Sequence, residues 1–275
     1  MQIWNATTFL TESIHQMENV LSWSPDWRYI ATGDAYRFQI WETVTGRIIV
    51  DEDFPNTGAG QGTLAADRGL WSPDGRYFVT PLFYIQIWDV MIGKVLSTYP
   101  TGNIAWSADS KRIALAPVDY TAPNNAPVKI RVLELKTENQ LASYSIPTDN
   151  NPRGVSGIAP LAWSPNGKYL VSGNGNIWDA ATGQHRGGYK GKLQGGYGGR
   201  WSPNSKYLAS IGSLAAPDGQ KGLDNVVCIW DVSTGNDVFI YHGHSAPIND
   251  LDWSPDGTKI ASASDDKTIR VWQAV

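Results

Sequence analysis

Residues 71–75 read "WSPDG", and closely related words stand at five other places in this chain of 275 residues. The copies are "WSPD" at 23–26, "WSAD" at 106–109, "WSPNG" at 163–167, "WSPN" at 201–204 and "WSPDG" at 253–257. A word that is repeated along the whole chain indicates a structural unit that stacks on its neighbours. In "SPDG", Pro at the second position and Gly at the fourth predict a tight hairpin turn.

The residues on either side of the word have the patterns of β-strands. In the last unit, 245–275, an alternating segment "INDLDW" precedes the word, and "TKIASAS" and "TIRVW" follow it. These segments predict three antiparallel strands, a, b and c, and the b segments are apolar or small throughout, as in a strand that is covered on both faces. A more polar, alternating segment d, such as "KVLSTYP" at 94–100, follows strand c through a short turn and is typical of an outer strand.

The tryptophans support this template. Of the thirteen, six end strand a and six end a c-type segment, and Trp27 is left over. Trp27 occupies the position where the turn favours Gly, and a large aromatic residue with positive φ is strained. We therefore predict that the turn at 24–28 has a different shape from the other five.

Composition and charge exclude several classes of protein. The formal net charge is −4, which gives no general attraction to nucleic acid or to an anionic membrane. No basic, apolar leader and no membrane-spanning run is present, and the single cysteine, Cys228, excludes an internal disulfide framework. The sequence predicts a soluble, cytoplasmic protein with no membrane association, no catalytic residue set, no metal and no cofactor.

These residues resemble the WD-repeat β-propeller family, through the "IWD" and "VW" ends of strand c, the "GH" at 243–244 and "SASDDKTIRVW" at 262–272. The resemblance implies an all-β fold of four-stranded antiparallel blades, with six blades or as part of a longer propeller of seven or more. In that family a His, a Ser or Thr, an Asp and a Trp form a structural hydrogen-bonded set. The last unit matches it with His244, Ser262, Asp266 and Trp272.

The two ends of the chain suggest how such a ring would close. Six a–b–c sets are present, and residues 7–13 look like a d strand. We expect residues 1–275 to form a single domain in which 7–13 pair with the last blade at 268–273. The segment "QIW" at 2–4 is then surplus. It is a candidate remnant of an upstream blade, and as an unpaired strand it could support self-association with another chain.

Length variation indicates where function could lie. The a–b and c–d turns are all tight, whereas the d–a and b–c connections vary in length, with long segments at 54–69, 116–128, 147–160, 187–199 and 211–225. Because strand direction alternates, these connections share one end of the sheets, and long loops on a rigid frame often carry recognition. We predict a non-catalytic scaffold that binds a protein or peptide partner there, through aromatic and Arg anchors. The candidate anchors are Arg68, Phe83, Tyr84, Tyr120, Arg153, Tyr189, Tyr197 and Arg200.

Two alternatives remain open from the sequence. The first is an enzyme or small-ligand binder at the mouth of the axial channel. The second is a module that binds single-stranded nucleic acid through "RGGYKGKLQGGYGGR" at 186–200, which interleaves basic and aromatic residues. A basic stretch alone is a weak indication of nucleic-acid binding, so that alternative is not favoured.

Overall fold

A computed structural model describes residues 2–4, 11–14, 20–33, 37–53, 71–81, 84–100, 102–117, 128–146, 161–173, 175–214 and 225–275. Within these residues all regular structure is β-strand, as predicted. Contacts divide the chain into two units, residues 1–102 and residues 103–275.

The first unit contains an N-terminal pair of strands and two larger sheets. The pair is β1 (Gln2–Trp4) and β2 (Thr11–Ile14), and sheet 1 is β3 (Val20–Trp23), β4 (Tyr29–Gly33), β5 (Arg37–Glu42) and β6 (Ile48–Asp53). Sheet 2 is β7 (Tyr77–Pro81), β8 (Tyr84–Asp89) and β9 (Lys94–Pro100). Its inner position is taken by Trp71, which forms a single bridge with Phe78.

The second unit contains four sheets. Sheet 3 is β10 (Gly102–Trp106), β11 (Arg112–Pro117), β12 (Val128–Glu134) and β13 (Gln140–Ile146), and sheet 4 is β14 (Ala162–Trp163), β15 (Tyr169–Val171), β16 (Asn176–Asp179) and β17 (His185–Gly188). Sheet 5 is β18 (Leu193–Trp201), β19 (Tyr207–Leu214), β20 (Val226–Asp231) and β21 (Asp237–Tyr241). Sheet 6 is β22 (Ile248–Trp253), β23 (Lys259–Ser264) and β24 (Ile269–Gln273).

Each of the six sheets is an antiparallel meander in the predicted order a, b, c and, in five of them, d. Burial follows the strand patterns: all five residues of β4 are buried, whereas most residues of the outer strand β9 are exposed. The a–b and c–d turns lie at one end of each sheet, which we call the tight-turn end. The d–a and b–c connections lie at the opposite end, the loop end.

Hydrogen bonds within the repeated word explain why it is written six times. The Ser hydroxyl donates to the Asp or Asn two residues on, at 2.5 to 2.8 Å, and accepts from the amide five residues on, at 2.9 Å. The same Asp or Asn oxygen accepts the amide of the second residue after it, at 2.9 to 3.2 Å. The Ser is buried in five of the copies, so these bonds satisfy polar groups that water does not reach.

The tryptophan that opens the word links neighbouring sheets. The indole of Trp71 donates to Ser22 Oγ at 3.0 Å, and that of Trp253 donates to the carbonyl of Arg200 at 3.0 Å. Trp201 makes a longer bond of the same kind to the carbonyl of Ala162, at 3.4 Å. In all three cases the acceptor precedes the corresponding Trp of the sheet before, so one rule of register repeats along the chain.

Trp27 corrects one prediction about the turns. Its φ is +61°, and the equivalent residues of the other five turns have φ between +57° and +72°. Trp27 N donates to the carbonyl of Ser24 at 2.9 Å, as Gly75 N does to Ser72. The prediction of a different shape is therefore wrong: the turn keeps the common geometry because its hydrogen bonds fix the backbone, and Trp27 accepts the left-handed conformation.

The N-terminal strands correct the prediction that was made for residues 2–4. β1 pairs with β2 in register Gln2 to Ile14, so the expectation that residues 2–4 lack a partner strand is wrong. Residues 7–10 lie outside the described residues, and the pairing of 7–13 with the last blade stays a prediction. Self-association through β1 also stays a prediction, but it can no longer be argued from an unpaired strand.

The Gly-rich stretch after β17 corrects the predicted bounds of a long connection. β18 begins at Leu193 and pairs with β19, so only 189–192 connect the two sheets, not 187–199. Composition predicted a loop there, but the segment pairs as a strand, and a Cβ on Gly199 would stand 2.8 Å from a Leu208 methyl, which would have to move. β19 likewise continues to Leu214 and shortens the connection that was predicted at 211–225.

Candidate functional site

The structure brings together the four residues of the predicted hydrogen-bonded set in sheet 6. His244 precedes β22, and its ring nitrogens lie 2.8 Å from Asp266 Oδ2 and 2.8 Å from Ser262 Oγ. The indole of Trp272 donates to the same Ser262 oxygen at 3.4 Å. The set therefore ties the segment before the inner strand to the middle strand, the β23–β24 turn and β24.

The linkage Ser262–His244–Asp266 has the connectivity of a hydrolytic triad, so accessibility decides what it can do. Ser262 is 1 % exposed and His244 is 3 % exposed, and the Ser262 hydroxyl already accepts the Trp272 indole. A nucleophile in this position could not reach a substrate carbonyl. The geometry supports a structural role.

Hydrogen bonds set the charge of Asp266. The Thr268 hydroxyl donates to Asp266 Oδ1, and burial opposes ionisation, but bonds from His244 and from Ser245 N add to the Thr268 bond and hold the pKa of Asp266 well below its usual value. The carboxylate therefore stays ionised and remains an acceptor for the set at ordinary pH.

A second, partly buried cluster joins the connection after β17 to sheet 5 and was not anticipated. The Tyr189 hydroxyl donates to Asp237 Oδ1 at 2.6 Å, the Cys228 thiol donates to the same oxygen at 3.0 Å, and Leu193 N donates to the Tyr189 oxygen at 2.8 Å. Tyr189 lies in the connection after β17 and Asp237 is the first residue of β21, 48 residues further on, so no local pattern could have paired them. Tyr189, a predicted anchor, is half-buried with its hydroxyl engaged, and its part in partner binding stays a prediction.

Electrostatics in this cluster disfavour nucleophilic chemistry. Burial, followed by the hydrogen bond to Asp237, raises the pKa of Cys228 to about 12, so the thiol stays protonated. Burial also raises the pKa of Tyr189. For Asp237, burial opposes ionisation, but the bonds from Tyr189 and Cys228 outweigh it and lower its pKa.

The remaining predicted anchors divide into three groups. Tyr84 lies at the first position of β8, at the loop end of sheet 2, and is 61 % exposed. Arg200 is the last residue but one of β18 and so lies beside the a–b turn, which is a correction to its placement at the loop end. Four anchors lie outside the described residues, namely Arg68, Phe83, Tyr120 and Arg153. The side chain of a fifth, Tyr197, is not described either.

The basic stretch 186–200 is partly neutralised. Arg186 lies 3.1 Å from Asp179, and Arg200 lies 3.0 Å from Asp250. Lys190 and Lys192 stay exposed. With Tyr189 turned inward, however, the described part of the stretch offers no exposed aromatic ring on which a base could stack.

Two further observations limit the chemistry of the described residues. They contain no group of three or more His, Cys, Asp or Glu side chains placed to hold a metal ion. No helix in this part of the chain is long and apolar enough to span a bilayer.

Comparisons with known proteins agree with this architecture. The model of the WD domain, G-beta repeat, matches residues 144–179 and 235–273. The C-terminal WD40 domain of Sif2 superimposes with a TM-score of 0.64 at 19 % identity, over 94 % of this chain and 67 % of that one. Together with the six meander sheets, these matches define the class as the WD-repeat β-propeller.

Curated relatives point to the same family. A WD repeat-containing protein WDS homolog of Arabidopsis thaliana is 26 % identical over 95 % of this chain and 47 % of its own length. The serine-threonine kinase receptor-associated protein of Dictyostelium discoideum is 32 % identical over 53 % of this chain and 44 % of its own, and Protein HIR1 of Mycosarcoma maydis is 26 % identical over 62 % and 18 %. These matches support a WD-repeat propeller family for this chain, which spans less than half of the length of each of these relatives.

Proposed function

We propose that this chain is a non-catalytic scaffold that binds a protein or peptide partner in the cytoplasm. WD40 propellers generally serve as protein-interaction scaffolds, and one relative is named for its association with a receptor kinase. The buried Ser262–His244–Asp266 linkage and the protonated thiol of Cys228 support a non-catalytic role, because the described groups that most resemble catalytic ones are closed or inert.

The observation that carries the proposal is a large aromatic side chain held in water by a rigid strand. Tyr84 stands at the loop end of β8, whose following residues are mostly buried and which pairs with strands on both sides. Tyr is among the residues that most often anchor interfaces, because it buries a large area at low cost in side-chain entropy. We infer that the loop end of sheet 2 contributes to partner docking.

Quantitative affinity purification from a lysate of the native cells tests this function. The bait would be the full chain, the Tyr84→Ser variant and a control variant, Leu141→Ser, which changes an exposed side chain on the outer strand β13. We expect a reproducible partner whose recovery falls about tenfold with Tyr84→Ser, the loss expected of an interface hot spot, and is unchanged with Leu141→Ser.

The two parts of the proposal fail differently. A partner that all three chains recover equally would contradict docking at the loop end of sheet 2. The absence of any partner above the background of unloaded resin would contradict the scaffold function itself.

A further inference from the structure

Trp27 departs from the repeated turn in a way that the turn itself does not explain. The five equivalent positions carry Gly or Ser, with the same positive φ, and only Trp27 places a large side chain there. Strained backbone conformations persist where the surrounding structure or a function maintains them. The ring of Trp27 lies 5.6 Å from that of Trp23, yet 68 % of Trp27 stays exposed to water.

The c–d turn of sheet 2 shows a second departure on the same unit. In the four other described c–d turns a Thr hydroxyl accepts the amide two residues on, at 3.2 to 3.3 Å. The matching residue of sheet 2 is Ile92, which has no acceptor to offer. A local rule that is broken without a compensating contact is a signature of a functional position.

Four exposed apolar side chains share the tight-turn end of sheets 1 and 2. They form what we call the Trp27 patch, with exposed fractions of 68 % for Trp27, 84 % for Val44, 59 % for Met91 and 58 % for Ile92. The corresponding positions of the other c–d turns hold mostly polar or small residues, such as Lys136, Ala181 and Ser233. A patch of large apolar side chains in water marks a site of interaction.

Contacts of neighbouring groups place the three turns that carry these residues close together. The hydroxyl of Thr43, which precedes Val44, donates to the carbonyl of Trp27 at 2.9 Å. The Tyr29 hydroxyl, two residues after Trp27, lies 3.5 Å from Met91 Sδ. The turn of sheet 2 also lies against sheet 1, because a Cβ on Gly93 would stand 2.8 Å from the carbonyl oxygen of Ile49.

The rim of the patch presents more positive than negative charge to solvent. Four cations of the surrounding turns are exposed, and two less exposed carboxylates pair with two of them. Glu42 is 24 % exposed and lies 3.9 Å from Arg47, and the buried Asp89 lies 2.8 Å from Arg76. The exposed cations are Arg28, Arg47, Arg76 and Lys94, and the exposed carboxylates are Asp26 and Asp74.

We propose that the Trp27 patch is a second docking surface, for a partner protein segment that presents apolar side chains flanked by carboxylates. Apolar side chains would cover Trp27, Val44, Met91 and Ile92, and the carboxylates would face the cationic rim. Trp, Met and Arg are enriched in interfaces of this kind. The inference rests on the proposed scaffold function, to which it adds a place and a partner chemistry.

The position of Asp26 favours a protein over a lipid surface. Its carboxylate lies between the two sheets, where a Cβ on Gly75 would stand 3.1 Å from Asp26 Oδ1. Pressing an exposed carboxylate against anionic lipid headgroups costs free energy through repulsion and desolvation. A protein segment can instead place a hydrogen-bond donor opposite it.

Selection from a random peptide library displayed on phage tests the proposal. The full chain would be immobilised, and the double variant Trp27→Gly/Ile92→Thr would be present in solution as competitor. This variant restores residues that the other turns already use, so it removes two of the four side chains of the patch without an expected loss of folding. We expect enriched peptides with apolar and acidic positions, which bind the double variant at least about tenfold more weakly.

A control variant and a vesicle experiment make the outcome decisive. The Tyr84→Ser chain should bind the selected peptides as the unaltered chain does, which separates this surface from the loop end. Peptides that are basic, that bind the double variant equally well, or that fail to enrich would overturn the proposal. Trp27-dependent binding to vesicles of phosphatidylcholine and phosphatidylserine would overturn it in favour of a membrane surface. In either case, a partner from the lysate that depends on Tyr84 would still support the scaffold function.

Discussion

At the scale of single residues, each copy of the word satisfies its own polar groups. The carboxylate of Asp256 accepts the Ser254 hydroxyl at 2.6 Å, and the amide and hydroxyl of Thr258 at 2.9 and 2.8 Å. These bonds, the Ser254 bond foremost, lower the pKa of Asp256 to about 2. Sheets 4 and 5 use Asn166 and Asn204 at the same position, so an uncharged oxygen also serves.

This pKa predicts how one residue responds to acid. Because the folded pKa lies below the unfolded one, the contribution of Asp256 to stability is present above about pH 4 and is lost as the pH falls towards 2. Asp256→Asn keeps the acceptor and removes the titration. We expect the difference in urea midpoint between the two chains to change between pH 4 and 2 in the direction that disfavours the unaltered chain. A difference that is constant from pH 7 to pH 2.5 would contradict the assignment.

The His244 set gives a second prediction at this scale. His244→Ala leaves Ser262 and Asp266 without their shared partner, and an unsatisfied buried group typically costs about 1 to 3 kcal/mol. His242→Ala is a matched control, since His242 is exposed two residues away. Chemical denaturation followed by tryptophan fluorescence should show a lower free energy of unfolding for His244→Ala alone. Equal values for the two variants would show that the set does not stabilise sheet 6.

At the scale of elements, the turn at Trp27 sets strain against packing. A left-handed conformation costs a non-Gly residue about 1 to 2 kcal/mol, while an aromatic pair contributes about 0.5 to 1.5 kcal/mol beyond its area. The Trp23 and Trp27 rings lie 5.6 Å apart, so the two terms nearly cancel. We expect Trp27→Gly to change the free energy of unfolding by less than about 1 kcal/mol. A loss well above that would show that Trp27 is a packing residue, and would remove the reason to assign it a binding role.

The elements also show what the sequence could and could not predict. The strands around each word and the tight turns were predictable, because alternation and turn chemistry are local. The start of β18 was not, since a Gly-rich segment has the composition of a loop and only its pairing with β19 makes it a strand. The inward position of Tyr189 depends on Asp237 of sheet 5, and no local pattern reports such a partner.

At the scale of the molecule, the repeated frame is regular and the departures from it are few. The fold class followed from the repeat, whereas the candidate surfaces depend on exposure, which a sequence does not state. Trp27 was visible as an exception to the template, but only the structure showed that it shares an end of the sheets with Val44, Met91 and Ile92. The loop end was predicted from length variation, and Tyr84 is the predicted anchor that the structure describes there with an exposed side chain.

One measurement tests most directly whether this frame serves to present docking surfaces. The dissociation constant of the partner recovered from native lysate would be measured by titration calorimetry for four chains: the unaltered chain, Tyr84→Ser, Trp27→Gly/Ile92→Thr and the outer-strand control Leu141→Ser. We predict that at least one of the two end variants weakens binding about tenfold or more, or roughly 1.4 kcal/mol, while the control binds as the unaltered chain does. Equal dissociation constants for all four chains would contradict the account.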